Sequence, residues 1–547
     1  MCLKPTNIES IPKETVRIAK AAFPKGNLYL KMRDELGTIF SDLDFMALYP
    51  SKGQPAFSPW RLALITVLQF LENLSDRQAA DAVRSRIDWK YALGLELTDP
   101  GFDYSVLSGF RQRLLANQQE TLLFEKLLTL LVQKNLLKAR GKQRTDSTHV
   151  LASVRVMNRL ELVVETLRAT LNELATFCPD WLKSITLTQW FDRYCLRAEQ
   201  SRLPYNDKAK EEFAAQVGMD GYYLLQIIKD QQPELLKLPK VDTLAKVWQR
   251  HYSRNESNQV IWVNSKELPR AATAIESPYD TQAKHSSKRD IIWTGYKVHL
   301  SESCEDGLPR IITNVYTTVA TQQDVASTAN IQQSMADKNL LPSRHLVDAG
   351  YVDAELVIES QQKYNVQLFG PTRLNPSWQS REGAYDSTQF QIDWEKQVAV
   401  CPEGKYSPHW YEYRTKKYQS PVTKIKFSQK DCQDCLSRYK CVRSKTNEPR
   451  SLQLPSKSNY LALEQTRQLL LSEFGKEEYK KRAGVEGTLS QAVRIGSLRR
   501  SRYIGLQKTY LQELALASGI NILRTVNFLN DVPLAKTRIS RFAKLAA

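Results

Sequence analysis

The chain lacks any apolar run long enough to cross a bilayer, for which about 20 consecutive apolar residues are needed. The best candidate, LLFEKLLTLLVQKNLL (122–137), is interrupted by Glu125, Lys126 and Lys134 and is typical of an amphipathic helix. The N-terminal MCLKPTNIESIPKETV has no apolar core of the kind found in signal peptides. We therefore expect a cytoplasmic protein that makes no membrane contact.

Cysteine is also scarce, with 8 residues in a chain of 547, which excludes a disulfide scaffold. Acidic residues are in deficit, 59 against 77 Lys and Arg, and the formal net charge is +18. Such an excess favours a polyanionic partner, and nucleic acid is the usual one. The alternative is a basic surface with no particular partner. The length predicts more than one domain.

Helical patterns fill the N-terminal region, from which we predict an all-α domain over residues 1–135. FSPWRLALITVLQFLENL (57–74) has a helical apolar repeat, and Ser75 and Asp76 are placed to cap the next helix. DYSVLSGFRQRLL (103–115) carries Arg111 and Arg113, which fit a DNA contact of the helix-turn-helix type. A generic helical bundle is an equally good interpretation.

The pattern then changes to that of an α/β domain with a mixed sheet and flanking helices. A strand, RTDSTHV (144–150), precedes a helical insertion at 155–284. GYKVHLSE (295–302) and PRIITNVYTTVA (309–320) form a predicted hairpin through an Asp-Gly turn. Helix, strand, helix and strand follow up to residue 372. The predicted sections are a core at 136–154 and 285–372, an irregular cysteine-containing insertion at 373–455, and helices completing the core at 456–547.

Three acidic residues stand out by their positions. Asp146 lies within the first strand, where it can be an edge residue in solvent, a salt-bridge partner of Arg144 or a metal ligand. Asp348, in HLVDAGY, ends a core strand, where sites in α/β sheets are found. Glu486 begins a helix rich in Arg and Lys. Carboxylates are the ligands that Mg²⁺ prefers, and two such ions support phosphoryl transfer.

These acids, in this order and after this N-terminal region, resemble the DDE transposases of bacterial insertion sequences. The similarity is to the group of insertion sequence 1182, related to the insertion sequence 5 and insertion sequence 4 groups, and covers nearly the whole chain. FSPWRLALITVLQFLENLSDRQAADAV resembles the N-terminal domain, RTDSTHV and VDAGY the first two acidic motifs, and TQAKHSSKRDIIWTGYKVHL (281–300) a lysine-rich turn entering the second strand of an RNase H-like fold. The third motif, Y-x2-R-x3-E-x6-K, is matched by Tyr479, Arg482 and Glu486, but Val493 replaces the lysine and Arg494 follows it.

The resemblance implies an RNase H-like catalytic core with two Mg²⁺ (or Mn²⁺) ions held by Asp146, Asp348 and Glu486. Water would attack the phosphodiester at the terminal inverted repeats of the element, and the freed 3′-hydroxyl would then attack target DNA. A homodimer on double-stranded DNA, associated with the nucleoid, is expected. The residues expected to contact DNA, for which a solvated helix face is the alternative, are Arg111, Arg113, Lys297, Arg482, Arg494, Arg499, Arg500, Arg502 and Lys508.

Four cysteines cluster late in the chain and could supply the four thiolate ligands of a structural zinc site. They are Cys401, the C-x2-C pair Cys432 and Cys435, and Cys441; buried reduced thiols are the alternative. Trp378, Trp394 and Trp410 lie in the same segment. They can stack on an unpaired base or, more simply, pack in a core.

We expect an enzyme, a metal-dependent transposase that cleaves DNA and transfers strands. The alternatives are a non-catalytic DNA-binding protein of transposase ancestry and an RNase H-like nuclease that cuts without strand transfer. The first would tolerate loss of an acid, yet all three are present. The second uses the same acids and stays open.

Overall fold

The computed structural model describes residues 2–5, 8, 10–269, 273–288, 290–372, 377–414, 421–443, 448–534, 541, 542 and 545. The chain divides into two compact units. The first comprises Met1–Lys138, Asp146–Gln322 and Val485–Ala547, and the second comprises Ala139–Thr145 and Gln323–Gly484. Neither unit is continuous in sequence.

The first unit begins with helices, as the sequence predicts. Ser75 caps one of them by accepting a hydrogen bond from the Gln78 backbone, while the Gln78 side chain accepts one from the Ser75 backbone. Pro59 opens another helix at a position where its missing N–H costs nothing. The helices are α1 (Lys13–Ala22), α2 (Leu28–Leu36), α3 (Pro59–Leu71), α4 (Asp76–Ser85), α5 (Ile87–Leu93), α6 (Ser105–Ala116) and α7 (Leu122–Gln133).

The predicted helical insertion has its own apolar core. Two glycines let α11 approach its neighbours closely, because a Cβ at Gly221 would lie 2.2 Å from the Trp248 ring and one at Gly218 would lie 2.5 Å from the Tyr252 ring. The elements are β1 (Lys142–Leu151), which precedes the insertion, then α8 (Arg159–Phe177), α9 (Pro179–Ile185), α10 (Thr188–Tyr194), α11 (Asp207–Gln231), α12 (Pro239–His251), β2 (Tyr252–Arg254) and β3 (Val260–Trp262).

Antiparallel strands form the sheet of the first unit. They are β4 (Lys284–Lys288), β5 (Ile291–Ser303) and β6 (Ile312–Val319). The predicted Asp-Gly hairpin is confirmed, with Tyr296 opposite Val319. The separate strand β4, opposite the start of β5, was not predicted. β5 is also the neighbour of β1, and the Ala152 backbone N–H donates to the Thr294 carbonyl.

The C-terminal helices are α19 (Gly484–Gly496) and α20 (Leu506–Leu529). α20 is buried over most of its length and packs against α3, α7 and β6, so it joins the N-terminal helices to the sheet within the first unit. The approach to α3 is close, since a Cβ at Gly519 would lie 2.8 Å from the Leu71 Cβ. A helix that is buried over most of its length lies at the centre of its unit.

Parallel strands form the sheet of the second unit. The first residues of β1 pair with β7 (Arg344–Leu346), which pairs with β8 (Gln367–Phe369). In this register Arg144 is opposite Leu346. Helices α13 (Thr328–Asp337) and α14 (Ala354–Tyr364) lie between the strands in sequence, as predicted. Because β1 is paired in both units, its sheet is mixed, which confirms the expected architecture of a mixed sheet with flanking helices and a helical N-terminus.

The segment predicted to be irregular contains strands in its described part. Residues 373–376, 415–420 and 444–447 lie outside the described residues. Phe390, Ile425, Phe427 and Leu452 form a small core, which gives the strands a buried face. The elements are β9 (Gln391–Asp393), β10 (Val398–Val400), β11 (His409–Arg414), β12 (Pro421–Lys426), α15 (Gln429–Gln433), α16 (Arg438–Cys441), β13 (Ser451–Pro455), α17 (Lys457–Leu471) and α18 (Glu473–Lys480).

No helix in the described ranges has the length and apolar character that a membrane crossing requires.

Candidate active site

Asp146 lies in β1 between buried neighbours. Thr145 and Ser147 are buried, whereas Asp146 is half-buried, and its Oδ1 accepts a hydrogen bond from the Ser147 backbone at 2.8 Å. β1 pairs with β7 at Lys142, Gln143 and Arg144, and Asp146 lies two residues beyond this pairing. Thr145, one residue earlier, is fixed in the second unit by a contact of 2.6 Å between its Oγ1 and His345 Nε2.

Asp348 follows β7 and caps a short 3-10 turn. Its Oδ1 accepts a hydrogen bond from the Gly350 backbone at 2.7 Å. Gly350 leaves room for this arrangement, because a Cβ there would lie 2.9 Å from that same Oδ1. The loop therefore fixes the carboxylate at the end of a core strand, as the sequence indicated.

Asp324 is an acidic residue near Asp348 that sequence reasoning missed. A Cβ at Gly350 would lie 3.4 Å from Asp324 Oδ2, so the two carboxylates approach the same glycine. Asp324 begins a 3-10 turn shortly after β6. An acid soon after a strand end was the available signal, but TTVATQQDVA carries no other mark that separates it from a helix cap.

Arg144 ties β1 to the segment that precedes Glu486. Its side chain is buried, and its guanidinium donates to the Lys481 carbonyl. A Cβ at Gly484 would lie 2.0 Å from Arg144 Nη1, so a larger residue there would require the guanidinium to move. These contacts lie within the second unit, and they hold residues 481–484 against the first residues of β1.

Glu478 reinforces this packing inside the second unit. Its Oε1 is 2.9 Å from Lys142 Nζ on β1 and 3.5 Å from Arg344 Nη1 on β7. Burial opposes ionisation of the carboxyl, but Lys142, Lys481 and Arg344 together hold the pKa of Glu478 below its usual range. The carboxylate is therefore charged at neutral pH and links α18 to both strands.

Glu486 is exposed in the first turn of α19, and the rest of that helix is fixed within the first unit. Thr488 donates to Glu302 Oε2, and the fully buried Glu302 pairs with Arg524 Nη1 at 2.7 Å. Arg524 Nη2 also lies 2.7 Å from Thr488 Oγ1. This network joins α19, β5 and α20, and we call it the Glu302 network.

The expected acids thus lie on three separate elements. Asp146 and Glu486 belong to the first unit, and Asp348 belongs to the second. Within the described part of the chain, no group of three or more His, Cys, Asp or Glu side chains is arranged to hold a metal ion.

The arginines expected to contact DNA differ in exposure. Arg111 is buried and pairs with Asp76 at 2.6 Å, and half-buried Arg502 donates to the Leu74 carbonyl. Both therefore stabilise the first unit, and their contact with DNA stays a prediction. Other expected contacts also have protein partners: Arg113 lies over the Tyr49 ring and Lys297 donates to the Gln322 carbonyl. Arg482 is half-buried, and the exposed members of the set are Arg494, Arg499, Arg500 and Lys508.

Cys401, Cys432, Cys435 and Cys441 do line one small cavity. The expected zinc site is nevertheless not supported, since the described residues contain no metal-binding group. Burial raises the pKa of the Cys441 thiol to about 11 and also raises that of Cys432. All eight cysteines lie within the described residues, and none of them forms a disulfide.

The tryptophans of this segment have protein neighbours. Trp394 and Trp410 pack edge to face with ring centroids 5.3 Å apart, against the small apolar core. Arg443 lies over the Trp378 ring at 4.4 Å. For Trp394 and Trp410 the contacts favour packing over base stacking.

Two family models match parts of the chain. Residues 17–113 match the model described as "Transposase domain (DUF772)", and residues 400–526 match the one described as "Transposase DDE domain". No curated protein and no solved structure has significant similarity to the chain. The DDE domain implies an RNase H-like fold, which agrees with the mixed sheet. Together the two matches support a DDE transposase of an insertion-sequence family and leave its group open.

Proposed function

We propose that this protein is a DNA transposase of the insertion sequence 1182 group. In this proposal it binds the terminal inverted repeats of its element, cleaves a phosphodiester at each end and joins the freed 3′-hydroxyl to target DNA. Asp146, Asp348 and Glu486 are its catalytic acids.

One observation carries the proposal: each acid lies exactly two residues beyond a position that is packed together with the others in the second unit. Asp146 follows Arg144, and Asp348 follows Leu346, which is opposite Arg144 in the parallel register. Glu486 follows Gly484, which lies against the Arg144 guanidinium. The residues that precede the three acidic motifs are therefore packed together within the second unit, and this packing supports the assignment of the acids.

Carboxylates are the type of ligand that the metal of the proposed chemistry would take. Three carboxylates supply hard oxygen ligands of the kind Mg²⁺ or Mn²⁺ takes, and such ions, two in this proposal, stabilise the attacking and leaving oxygens of phosphoryl transfer. The protein contributes fixed donors: the Gly350 backbone orients Asp348, and the Glu302 network orients the helix of Glu486. Arg482, shortly before Glu486, would hold a phosphate.

The exposed basic residues would follow the DNA backbone. Arg494, Arg499, Arg500 and Lys508 give salt-dependent affinity without reading sequence. Two element ends have to be brought together for transposition, so we propose that the protein acts as a homodimer on nucleoid DNA. A protein that stays monomeric with end DNA would contradict this part.

The decisive experiment is a cleavage and strand-transfer assay. Purified protein is mixed with labelled duplexes from both flanks of its own gene, with Mg²⁺ or with EDTA. We expect metal-dependent nicking at a defined end followed by joining. Asp348→Asn should lower the rate by more than about a thousand-fold, because it removes several kcal/mol of transition-state stabilisation.

Asp353→Asn is the matched control. Asp353 is exposed, lies five residues after Asp348 and caps α14 through the Leu356 backbone, and asparagine caps equally well. Equal loss in both variants would contradict the assignment of Asp348. Nicking without joining would identify a nuclease, and tight binding without cleavage under any metal would identify a non-catalytic DNA-binding protein.

A further inference from the structure

The hairpin of β4 and β5 ends in two exposed isoleucines. Ile291 and Ile292 have exposed fractions of 47% and 67%, whereas Trp293, the next residue of β5, is 4% exposed. Ile291 is opposite Lys288 in the register, so both isoleucines lie at the end of the hairpin next to the turn. The apolar exposure is therefore confined to the tip.

Neither face of this tip is covered. Successive residues of a strand point to opposite faces of a sheet, so Ile291 and Ile292 lie on opposite sides of the hairpin. A hairpin end that only completes a core would bury one of them. Exposed apolar side chains on a strand are a liability in a free protein unless a partner covers them.

Two basic side chains, Lys288 and Arg499, lie close to the hairpin within the first unit. The His149 ring lies 5.5 Å from the Trp293 ring. Burial, then Arg499, then Lys288 lower the pKa of His149, so both cations lie close to this histidine. Arg499 also donates to Thr148 Oγ1 at 2.9 Å, and its carbonyl accepts from the Leu151 backbone at 2.9 Å.

The charge around the tip decides between partners. Lys288 and Arg499 are exposed cations, while the acid at the tip is Asp290. Exposed isoleucines beside exposed cations match the proteins that press apolar wedges between base steps while basic side chains hold the adjacent phosphates. A protein partner with an apolar pocket would not require these cations.

We propose that the tip formed by Ile291 and Ile292 enters the DNA at the element end and unstacks a base step, with Lys288 and Arg499 on the flanking phosphates. This inference rests on the proposed function, because the DNA is the end that the transposase cleaves. It assigns a DNA contact to residues other than the three proposed catalytic acids. The unstacking would prepare the end for cleavage.

The test uses the full-length protein without metal, so that binding is measured and cleavage is prevented. Flank duplexes carry 2-aminopurine at successive positions near the bound end, since its fluorescence rises on unstacking. Wild type should give a rise confined to one or two adjacent positions. Ile291→Ser with Ile292→Ser should abolish the rise and weaken binding about ten-fold, as expected for losing a modest apolar contact.

Ile261→Ser is the matched control, because Ile261 is a strand residue of the helical insertion with 44% exposure. It should retain both the fluorescence rise and the affinity. Lys288→Ala provides a second measurement: it should lower the slope of log K against log salt by about one while the fluorescence rise persists. Melting temperatures of the variants should match wild type, since all these side chains are on the surface.

Several results would overturn the wedge. A full fluorescence rise in the double variant would contradict the wedge, and so would wild-type binding to a flank duplex with no rise at any position. The proposed transposase function survives either outcome. Retained DNA binding with loss of binding to another protein would assign the tip to a protein partner. Failure of wild type to bind any flank duplex would instead reject the proposed function itself.

Discussion

The arginines of the first unit fall into two sets that look alike in sequence. The side chains of Arg111 and Arg524 are 7% and 15% exposed. Arg111 pairs with Asp76, and Arg524 pairs with Glu302. Arg494 and Arg500 are exposed on or just after α19. The partners of the first set lie 35 and 222 residues away, so local sequence cannot separate an arginine that holds the fold from one that can hold DNA.

The largest effect should come from breaking the Glu302 network. Arg524→Met leaves Glu302 buried without its cation, and losing one partner of a buried pair costs about 3–5 kcal/mol. Urea unfolding should show this loss, whereas Arg494→Met should stay within about 0.5 kcal/mol of wild type. Adding Glu302→Gln to Arg524→Met should recover part of the stability. An unchanged midpoint would place Arg524 in the exposed set.

A smaller loss is expected for Arg111→Met. Its partner Asp76 keeps 26% of its side-chain surface in water and also accepts from Gln69, so the unpaired carboxylate is partly solvated. We expect a destabilisation of about 1–3 kcal/mol in the same measurement. The salt dependence of DNA binding should stay unchanged. If Arg111→Met lowered the slope of log K against log salt without destabilising the protein, Arg111 would belong to the set that contacts DNA.

A buried carboxyl without an arginine beside it should make the free energy of unfolding depend on pH. Glu513 is fully buried and accepts a hydrogen bond from Thr317, and burial raises its pKa to about 8 from the ordinary 4.5. Between these values the folded state keeps a proton that the unfolded state releases, so wild-type stability should fall as pH rises through this window. Glu513→Gln should flatten the dependence. The free energy of unfolding is measured with urea from pH 5 to pH 8. An equal dependence on pH in wild type and Glu513→Gln would contradict this prediction.

The smallest effect on stability is expected in the exposed set. Arg500→Ala should leave the free energy of unfolding within about 0.5 kcal/mol of wild type but lower the slope of log K against log salt for DNA by about one. Lys208→Ala in the helical insertion, which removes a cation with 88% of its side chain exposed, is the control for general charge. Equal slopes of log K against log salt for Arg500→Ala and Lys208→Ala would show that Arg500 does not contact DNA.

Much of the fold followed from local patterns. The Asp-Gly turn predicted the hairpin of β5 and β6, and helical periodicity predicted the helices of the N-terminal region and of the insertion. The strands between residues 391 and 455 were missed because they are short and their outer faces mix Tyr, Lys and Glu without clear alternation. β4 was missed because KHSSK has no apolar residue to mark a strand.

The site was less accessible to sequence reasoning than the fold. The strand-end position of Asp348 was visible in HLVDAGY, but the nearness of Asp324 depends on a turn at Gly350. The fit of Gly484 against Arg144 joins residues more than 300 positions apart, and no local pattern reports it. The cysteine spacing predicted a zinc site; the four cysteines do line one cavity, but the described residues contain no metal-binding group and the zinc site is unsupported.

The two units are interleaved in sequence, and this has a consequence at the level of the gene. The second unit takes Ala139–Thr145 and Gln323–Gly484, while the first needs the stretches before, between and after them. No uninterrupted piece of the reading frame encodes either unit complete. We therefore expect that a frameshift or internal stop would leave both units incomplete.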